Sequence, residues 1–410
     1  YKSYVSEGSF NMKVIVQKFG GTSVRDEEGR SHALRHIQNA CQDGYKCAVV
    51  VSAMGRRGDP YATDTLLDLI DGKQTVVSKR EQDLLMACGE NISAVVFSQF
   101  LNENGVRAEA FTGGQAGIRT NDGFTEARVS ALNPERIIEA FTRLDVVVIT
   151  GFQGANQWGD VTTLGRGGSD TSAAIVGVLT QAERIDIFTD VLGVMTADPR
   201  LASDAKILEE VTYDEVANLA HEGAKVIHPR AVEIAASAGI PLRVRCTYSD
   251  DLGTMITHKS AIIKVHERLV TGIAHVENLS QIKVQAKVVH ENFASQIFQA
   301  MADAKISVDF INISPKEIVY TVQAHAADRA AQILQSLGFI FEMKSSCAKV
   351  AVVGAAITGV PGIIARMVTA LSKENIEILQ SADSLTTIWV LVDSCDLKKS
   401  VNVLHQAFAL

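Results

Sequence analysis

Two short glycine-rich segments combine the residue types that bind phosphate. In Lys18-Phe19-Gly20-Gly21-Thr22, adjacent glycines let backbone N–H groups approach an anion, and the lysine adds positive charge. The second segment, Gly165 to Thr171, contains Arg166, which can bind a carboxylate or phosphate through two parallel hydrogen bonds. Ser169 or Asp170 would cap a helix there, and a helix N-terminus attracts anions. Taken singly, each segment also fits an ordinary turn.

A third loop, Thr189 to Arg200, follows an apolar run and ends after Asp198-Pro199. With Lys18, Arg166 and Lys225, its arginine would complete a positive pocket suited to a polyphosphate, and hence to a nucleotide. The sequence has no Walker motif, no Ser-His-Asp set and no H-E-x-x-H motif. A carboxylate acceptor is already an anion, so phosphoryl transfer to it needs positioning and charge neutralisation rather than a general base.

The elements that position these loops follow from the apolar pattern between Lys13 and Arg245. Short runs rich in Val and Ile alternate with amphipathic stretches, which predicts an α/β fold with a mainly parallel sheet covered on both faces. Ligands then belong at the carboxyl ends of the strands. The clearest predicted strands are Val14–Gln17, Cys47–Ser52, Asp145–Thr150 and Ile185–Asp190, and the clearest helices are Gly29–Asp43 and Glu81–Asn102.

The C-terminal part contains an internal repeat. Ser295–Phe339 aligns without a gap to Ala365–Ala409, at a constant offset of 70 residues, and the apolar positions keep their phase. Each copy is predicted as strand, helix, strand, strand, helix, which is typical of a ferredoxin-like unit whose last strand comes from elsewhere. A chance similarity between two ordinary α+β stretches is the alternative.

Composition bounds the class of protein. The chain has 410 residues, 47% of them hydrophobic, and a formal net charge of −8. Its length indicates more than one domain, and its charge argues against nucleic acid as a partner. Six scattered cysteines without a C-x-x-C pair favour reduced thiols in a cytoplasm over a zinc site. No run of eighteen apolar residues occurs, so no membrane span or export is expected.

These patterns predict five segments. Residues 1–11 precede Met12 and resemble no strand or helix, so we expect a leader that is not native. The predicted parts that follow are an α/β domain with the glycine-rich loops at 12–245, a polar turn-rich linker at 246–263, and two repeat units at 264–340 and 341–410.

The chain resembles the aspartate kinases of the amino-acid kinase superfamily, which have tandem ACT domains. The matching stretches occur in the family's order: KFGGTSV at Lys18, VSAMG at Val51, Gly89-Glu90, TGFQG at Thr150, GRGGSDTSA at Gly165, FTDVLGVMTADPR at Phe188 and KVIHPRA at Lys225. The resemblance implies transfer of the ATP γ-phosphoryl group to the β-carboxylate of L-aspartate, giving 4-phospho-L-aspartate. This is the first step toward lysine and diaminopimelate, threonine and methionine.

The resemblance also implies residue roles. Lys18 would stabilise the transferring phosphoryl group, and Asp170 would orient the site. Glu90 would hold the α-ammonium of aspartate, Arg166 its α-carboxylate, and Thr63 and Ser169 would help to seat it. The residues implied on the nucleotide side are Lys18, Phe19, Gly20, Gly21, Thr22, Thr189, Asp190, Val194, Met195, Asp198, Arg200, Lys225 and Val226. Mg²⁺ is implied as the counter-ion of ATP, without a dedicated metal ligand.

The duplicated unit resembles tandem ACT domains, and this resemblance implies feedback by an amino acid at paired ACT interfaces in a homodimer. The implied effector residues are Asp309, Ile311, Asn312, Ser381, Asp383 and Ser384. Asp309 to Ser314 reads DFINIS, without the Gln-Asn of many lysine-responsive or threonine-responsive relatives. Diaminopimelate, as in the aspartate kinase I type of Gram-positive bacteria, is therefore favoured over lysine, with threonine a third possibility.

Two further departures and alternatives bear on function. Leu192 stands where many relatives carry Asp, and we expect this difference to affect the nucleotide loop locally. No dinucleotide fingerprint follows the repeat, so no fused homoserine dehydrogenase is expected. An acetylglutamate or UMP kinase would share the fold, but the GRGGSD segment and the repeat argue against both. A catalytically silent amino-acid sensor is the alternative from another class.

Overall fold

A computed structural model describes residues 12–70, 76–224, 226–258, 269–285, 293–355, 357 and 360–410. The leader predicted at 1–11 lies outside this range. The described chain divides into two compact units. The first comprises residues up to 194 together with 207–220 and 226–258, and the second comprises 195–206, 221–224 and the residues from 269 onward. The domain boundaries drawn from the sequence remain predictions.

Parallel strands dominate the first unit, as the Val- and Ile-rich runs predicted. Its strands are β1 Val14–Phe19, β2 Lys46–Val51, β3 Ala108–Phe111, β4 Ile118–Thr120, β5 Val129–Leu132, β6 Val146–Thr150, β7 Gln153–Ala155, β8 Val161–Thr163, β9 Arg184–Thr189, β10 Glu210–Thr212, β11 Leu242–Cys246 and β12 Thr254–Thr257. Eight of them form a sheet in the order β10-β12-β11-β9-β1-β2-β6-β3, in which only β11 and β12 pair antiparallel. The order of the smaller sheet is β5-β4-β7-β8.

Helices accompany these strands: α1 Gly21–Val24, α2 Glu27–Gln42, α3 Thr63–Asp68, α4 Lys79–Glu103, α5 Glu135–Phe141, α6 Gly168–Thr180, α7 Tyr213–His221 and α8 Pro229–Ala238. The longest, α4, begins with a capping box in which Ser78 and Glu81 satisfy each other's backbone N–H groups. Among the described residues, α4 is the one helix long and apolar enough to cross a membrane, and half of its most apolar stretch is buried inside the protein. Core helices pass the same test.

The stretch predicted as a linker contributes to the main sheet. Strand β12 pairs with β10 and β11, and its side chains alternate between buried and half-buried. The polar turn at Tyr248 to Gly253 precedes this strand and concealed its period of two in the sequence.

The second unit confirms the predicted repeat. Its first copy comprises β13 Gly272–Gln285, α9 Phe293–Asp303, β14 Asp309–Ile313, β15 Glu317–Gln323 and α10 Ala324–Ser336. The second copy comprises β16 Ile340–Val353, α11 Ile363–Lys373, β17 Gln380–Asp383, β18 Thr387–Asp393 and α12 Leu397–Ala407. One antiparallel sheet joins them in the order β14-β15-β13-β16-β18-β17, with the first strand of each copy at its centre.

Candidate active site

The carboxyl ends of four neighbouring parallel strands meet at one edge of the main sheet. In register, Phe19 of β1 lies beside Phe188 of β9 on one side and Val51 of β2 on the other, and Val51 lies beside Thr150 of β6. The turns that follow these strands are therefore adjacent. All four contain segments that the sequence singled out, so the topology brings the first glycine turn, the VSAMG and TGFQG stretches and the Thr189 loop together.

Lys18 forms the central ion pair of this edge. Its Nζ lies 2.8 Å from Oδ1 of Asp170, and both side chains are largely buried. The other carboxylate oxygen of Asp170 accepts a 3.3 Å hydrogen bond from the backbone N–H of His228. A Cβ built on Gly20 would lie 3.8 Å from Lys18 Nζ, so the ammonium group stands over the first glycine turn. Lys18, Asp170 and the first glycine turn therefore lie together at this edge of the sheet.

The turn after β1 requires glycine at its second position. A Cβ on Gly21 would lie 2.4 Å from the carbonyl oxygen of Ala53 and 2.7 Å from that of Gly55. Thr22 follows at the half-exposed surface, and its carbonyl accepts a hydrogen bond from the hydroxyl of Tyr248 at 3.2 Å. Phe19 is fully buried and stacks on Phe188 with ring centroids 4.7 Å apart, so only its backbone is available to a ligand.

The second glycine segment forms the entry to α6. Gly167 adopts φ +67° as the N-cap, a backbone conformation that favours glycine. Arg166 is exposed, while Ser169 is half-buried in the first turn of the helix. Ser169 also lies against Gly151, because a Cβ built on that glycine would be 2.8 Å from its Oγ.

Glu90 lies on the buried face of α4. One carboxylate oxygen accepts the backbone N–H of Ala53 at 3.1 Å, and the other is buried without a hydrogen-bond partner among the described residues. Burial raises the pKa of Glu90 to about 8. An unpaired buried carboxyl oxygen is costly unless a donor completes it. An ammonium group of a bound ligand would supply that donor. Thr63, also predicted for the substrate, begins α3, which packs against α4.

The residues predicted on the nucleotide side are dispersed between the two units. In the first unit, the hydroxyl of Thr189 donates to Asp190 at 3.1 Å, and Asp190 pairs with Arg56 at 2.7 Å. Val194 is buried, and its N–H donates to the hydroxyl of Thr254 at 2.9 Å.

The rest of the predicted nucleotide loop falls elsewhere. By their contacts, Met195, Asp198 and Arg200 belong to the second unit, where Asp198 pairs with Arg200 at 2.6 Å. Lys225 lies outside the described residues, and Val226 follows it in a half-buried turn of the first unit. Met195, Asp198 and Arg200 are therefore in a different unit from Lys18.

The predicted effector residues occupy the two edge strands of the regulatory sheet. Asp309, Ile311 and Asn312 lie on β14, and Ser381 and Asp383 lie on β17, followed by Ser384. Most of these side chains are exposed.

Sequence reasoning missed a second carboxylate beside the site. Asp83 lies seven residues before Glu90 on the same face of α4 and is fully buried. Its signal was available: an acidic residue stands among the apolar positions Met86, Ala87, Ala94 and Phe97 of that face. The sequence also showed no sign of two contacts at the start of α8, that of Arg230 with Leu164 and that of the His228 N–H with Asp170, because the partners are distant in sequence.

Comparison with known proteins identifies the family. Residues 13–246 match the amino acid kinase family, and residues 342–406 match an ACT domain. The chain is 57% identical over 402 residues to aspartokinase 1 of Bacillus subtilis (strain 168), a match that covers 97% of this chain and 100% of that protein. The chain belongs to the aspartokinases.

Solved aspartokinase structures share the fold along the whole chain. Aspartokinase III of E. coli in complex with aspartate and ADP, in the R-state, superposes with a TM-score of 0.77 at 26% identity and covers 97% of this chain and 100% of its own. The T-state of that aspartokinase, in complex with lysine and aspartate, gives 0.78 at 27% identity and covers 96% and 99%. The aspartokinase family thus accounts for both the kinase fold and the ACT units.

Proposed function

We propose that Lys18, Asp170, Glu90 and Arg166 perform the aspartokinase reaction in this chain. An oxygen of the β-carboxylate of L-aspartate attacks the γ-phosphorus of ATP, the bond to the bridging oxygen breaks, and ADP leaves. Lys18 neutralises negative charge on the transferring phosphoryl group. The observation that carries this assignment is the 2.8 Å Lys18–Asp170 pair over the first glycine turn, because Asp170 fixes the ammonium where an anion is expected.

Two charged groups hold the amino-acid end of the substrate. Glu90 binds the α-ammonium through the carboxylate oxygen that has no hydrogen-bond partner among the described residues. Arg166, exposed at the entry to α6, binds the α-carboxylate in a bidentate manner. Thr63 and Ser169 seat the substrate beside them. The aspartate bound to aspartokinase III of E. coli supports an amino-acid substrate of this kind.

The glycine turn Gly20 to Thr22 and the backbone of Phe19 cradle phosphate oxygens. Thr189, Asp190, Val194 and Val226 contact the rest of the nucleotide. Mg²⁺ accompanies ATP and is held mainly by its phosphates, as Mg²⁺ often is in kinases. Among the described residues, no group of three or more His, Cys, Asp or Glu could hold a metal ion.

The ACT units bind an end-product amino acid and join two chains in a homodimer. Aspartokinase III of E. coli binds lysine in its T-state, which supports lysine, and the 57% identity to aspartokinase 1 of Bacillus subtilis supports the aspartokinase I type and with it diaminopimelate. Threonine is the third candidate. Exposed Ile311 and Ile313 on edge strand β14 provide apolar surface for pairing with another chain.

The reaction takes place in the cytoplasm. All six cysteines are free, and five of them belong to elements of the described fold rather than to a disulfide framework. Free thiols are typical of a reducing compartment.

The decisive experiment measures aspartyl phosphate, trapped as the hydroxamate, with ATP, Mg²⁺ and L-aspartate. Lys18→Ala should lower kcat by about 10²-fold or more, since one preorganised charge is removed from the transition state. Lys13→Ala is the matched control, because Lys13 is exposed just before the same strand. Equal rates for the two variants would refute the role of Lys18, and ATP binding without turnover by the parent protein would indicate an amino-acid sensor.

A further inference from the structure

Asp83 is a fully buried carboxylate that no part of the proposed reaction uses. Its two oxygens accept the backbone N–H of Thr125 at 3.1 and 2.9 Å, the backbone N–H of Thr163 at 2.8 Å and the hydroxyl of Thr163 at 2.7 Å. Burying an acidic side chain costs several kcal/mol unless such donors surround it. The three donors come from the turn at Thr125 and from the end of β8, so Asp83 links both segments to α4.

Both segments lie next to the turn that carries Arg166. Thr163 is the last residue of β8 and precedes Arg166 by three positions. Thr125 adopts φ +73°, which is unfavourable for a β-branched residue, and its carbonyl lies against Gly165, since a Cβ on that glycine would be 3.3 Å away. The hydrogen bonds to Asp83 hold Thr125 in this conformation.

A second tie comes from α8. The guanidinium of Arg230 donates to the carbonyl of Leu164 at 2.9 Å and to that of Ala127 at 3.3 Å. The N–H of Ala127 in turn donates to the carbonyl of Thr163 at 2.8 Å. The base of the Arg166 turn is therefore fixed from two helices.

We propose that Asp83 is a positioning residue that sets the separation between Arg166 and Glu90. Asp83 and Glu90 are two turns apart on one helix face, about 10 Å along its axis. Asp83 holds the base of the turn that presents Arg166, so the groups for the α-carboxylate and the α-ammonium share one rigid element. This inference rests on the proposed roles of Glu90 and Arg166, and it concerns recognition of the amino-acid end of aspartate rather than of ATP.

The test is a comparison of steady-state constants for both substrates. Asp83→Asn keeps the shape but replaces one acceptor oxygen by an NH₂ group, so the Thr125 turn and the end of β8 lose part of their hydrogen bonding to α4. We expect KM for aspartate to rise about tenfold or more, since a displacement of about 1 Å can cost up to 10²-fold. KM for ATP should change by less than about twofold, because the proposed role concerns the amino-acid end of aspartate. A uniform loss of active protein would alter neither KM value.

Asp186→Asn is the matched control, because Asp186 is also buried but pairs with Arg184 and Arg243 in the strands. It should lower the thermal unfolding midpoint without changing KM for aspartate. If Asp83→Asn behaves like this control, or raises both KM values equally, the positioning role is refuted.

Thr163→Val provides a milder variant should Asp83→Asn fold poorly. It removes one hydroxyl donor, so KM for aspartate should rise about threefold, and an unchanged KM would contradict the proposal. In Asp83→Asn combined with Thr163→Val, the two effects should be less than multiplicative, because both act through the same hydrogen bonds. Arg166→Ala and Glu90→Gln separate this inference from the proposed function: if neither changes KM for aspartate, the binding roles themselves are wrong.

Discussion

At the scale of single residues, protonation of Glu90 controls how the site receives an amino acid. Because burial raises its pKa to about 8, the carboxyl group is largely neutral near pH 7 when no ligand is bound. An α-ammonium beside it favours the ionised form, so binding of aspartate should lower this pKa and release a proton. Binding is therefore favoured at a pH above the raised pKa.

We predict that kcat/KM for aspartate rises with pH up to about 8, on the order of tenfold per pH unit below that value. Glu90→Gln should lower kcat/KM and remove this limb of the profile, since its amide does not titrate. Glu103→Gln, at the exposed end of the same helix, is the control. A limb that persists in Glu90→Gln would assign the titration to another group.

At the scale of elements, the loop after β2 is packed between two glycines. Gly21 at the start of α1 lies against the carbonyls of Ala53 and Gly55, and Gly89 of α4 lies against Ala53 from the other side, with a built Cβ only 2.8 Å from its methyl group. The same Ala53 donates its N–H to Glu90. Close approach of three elements thus couples the glycine turn to the buried carboxyl group.

Gly21→Ala should therefore displace the loop and lower kcat/KM for both substrates by about 10²-fold. Gly177→Ala is a matched control, because a Cβ there would also be too close to a neighbour, Cδ1 of Ile185 at 2.5 Å, but in the core. It should lower stability and leave the kinetic constants nearly unchanged. Thermal unfolding and hydroxamate assays on both variants distinguish the two effects, and similar kinetics for both would disprove the coupling.

At the scale of the whole molecule, the ACT unit contains a buried lysine that pairs with a predicted effector residue. Lys349 of β16 lies 2.8 Å from Asp309 of β14 and 3.0 Å from Glu222, which the second unit includes. Burial alone would lower the pKa of Lys349, but the two carboxylates outweigh it and the net pKa is raised. An effector with a side-chain ammonium would compete with Lys349 for Asp309.

If lysine or diaminopimelate binds there, Asp309→Asn should raise the concentration for half-inhibition about tenfold, as expected when one charge-assisted contact is lost. Inhibition is expressed relative to the uninhibited rate of each variant. Asp303→Asn, at the end of α9, serves as control. Unchanged inhibition by lysine, threonine and meso-diaminopimelate in Asp309→Asn would exclude this residue from the effector site, and a lack of response in the parent chain would contradict feedback by these amino acids.

The sequence by itself determined the fold class, the repeat and the family. Buried parallel strands, period-2 and period-3.6 patterns, and glycine segments are local features, so Lys18, Gly21, Arg166 and Asp170 could be proposed as site residues from the sequence. The repeat was equally clear, because α9 and α11, like β15 and β18, differ by the same 70 positions.

Only the tertiary structure decided which residues act on one another. The pairing of Lys18 with Asp170, the hydrogen bond from Ala53 to Glu90 and the contacts of Asp83 with Thr125 and Thr163 join residues at least 37 positions apart. Assignment of residues 195–206 to the second unit likewise follows from packing. Such contacts depend on which elements lie side by side, and local sequence patterns do not predict that arrangement.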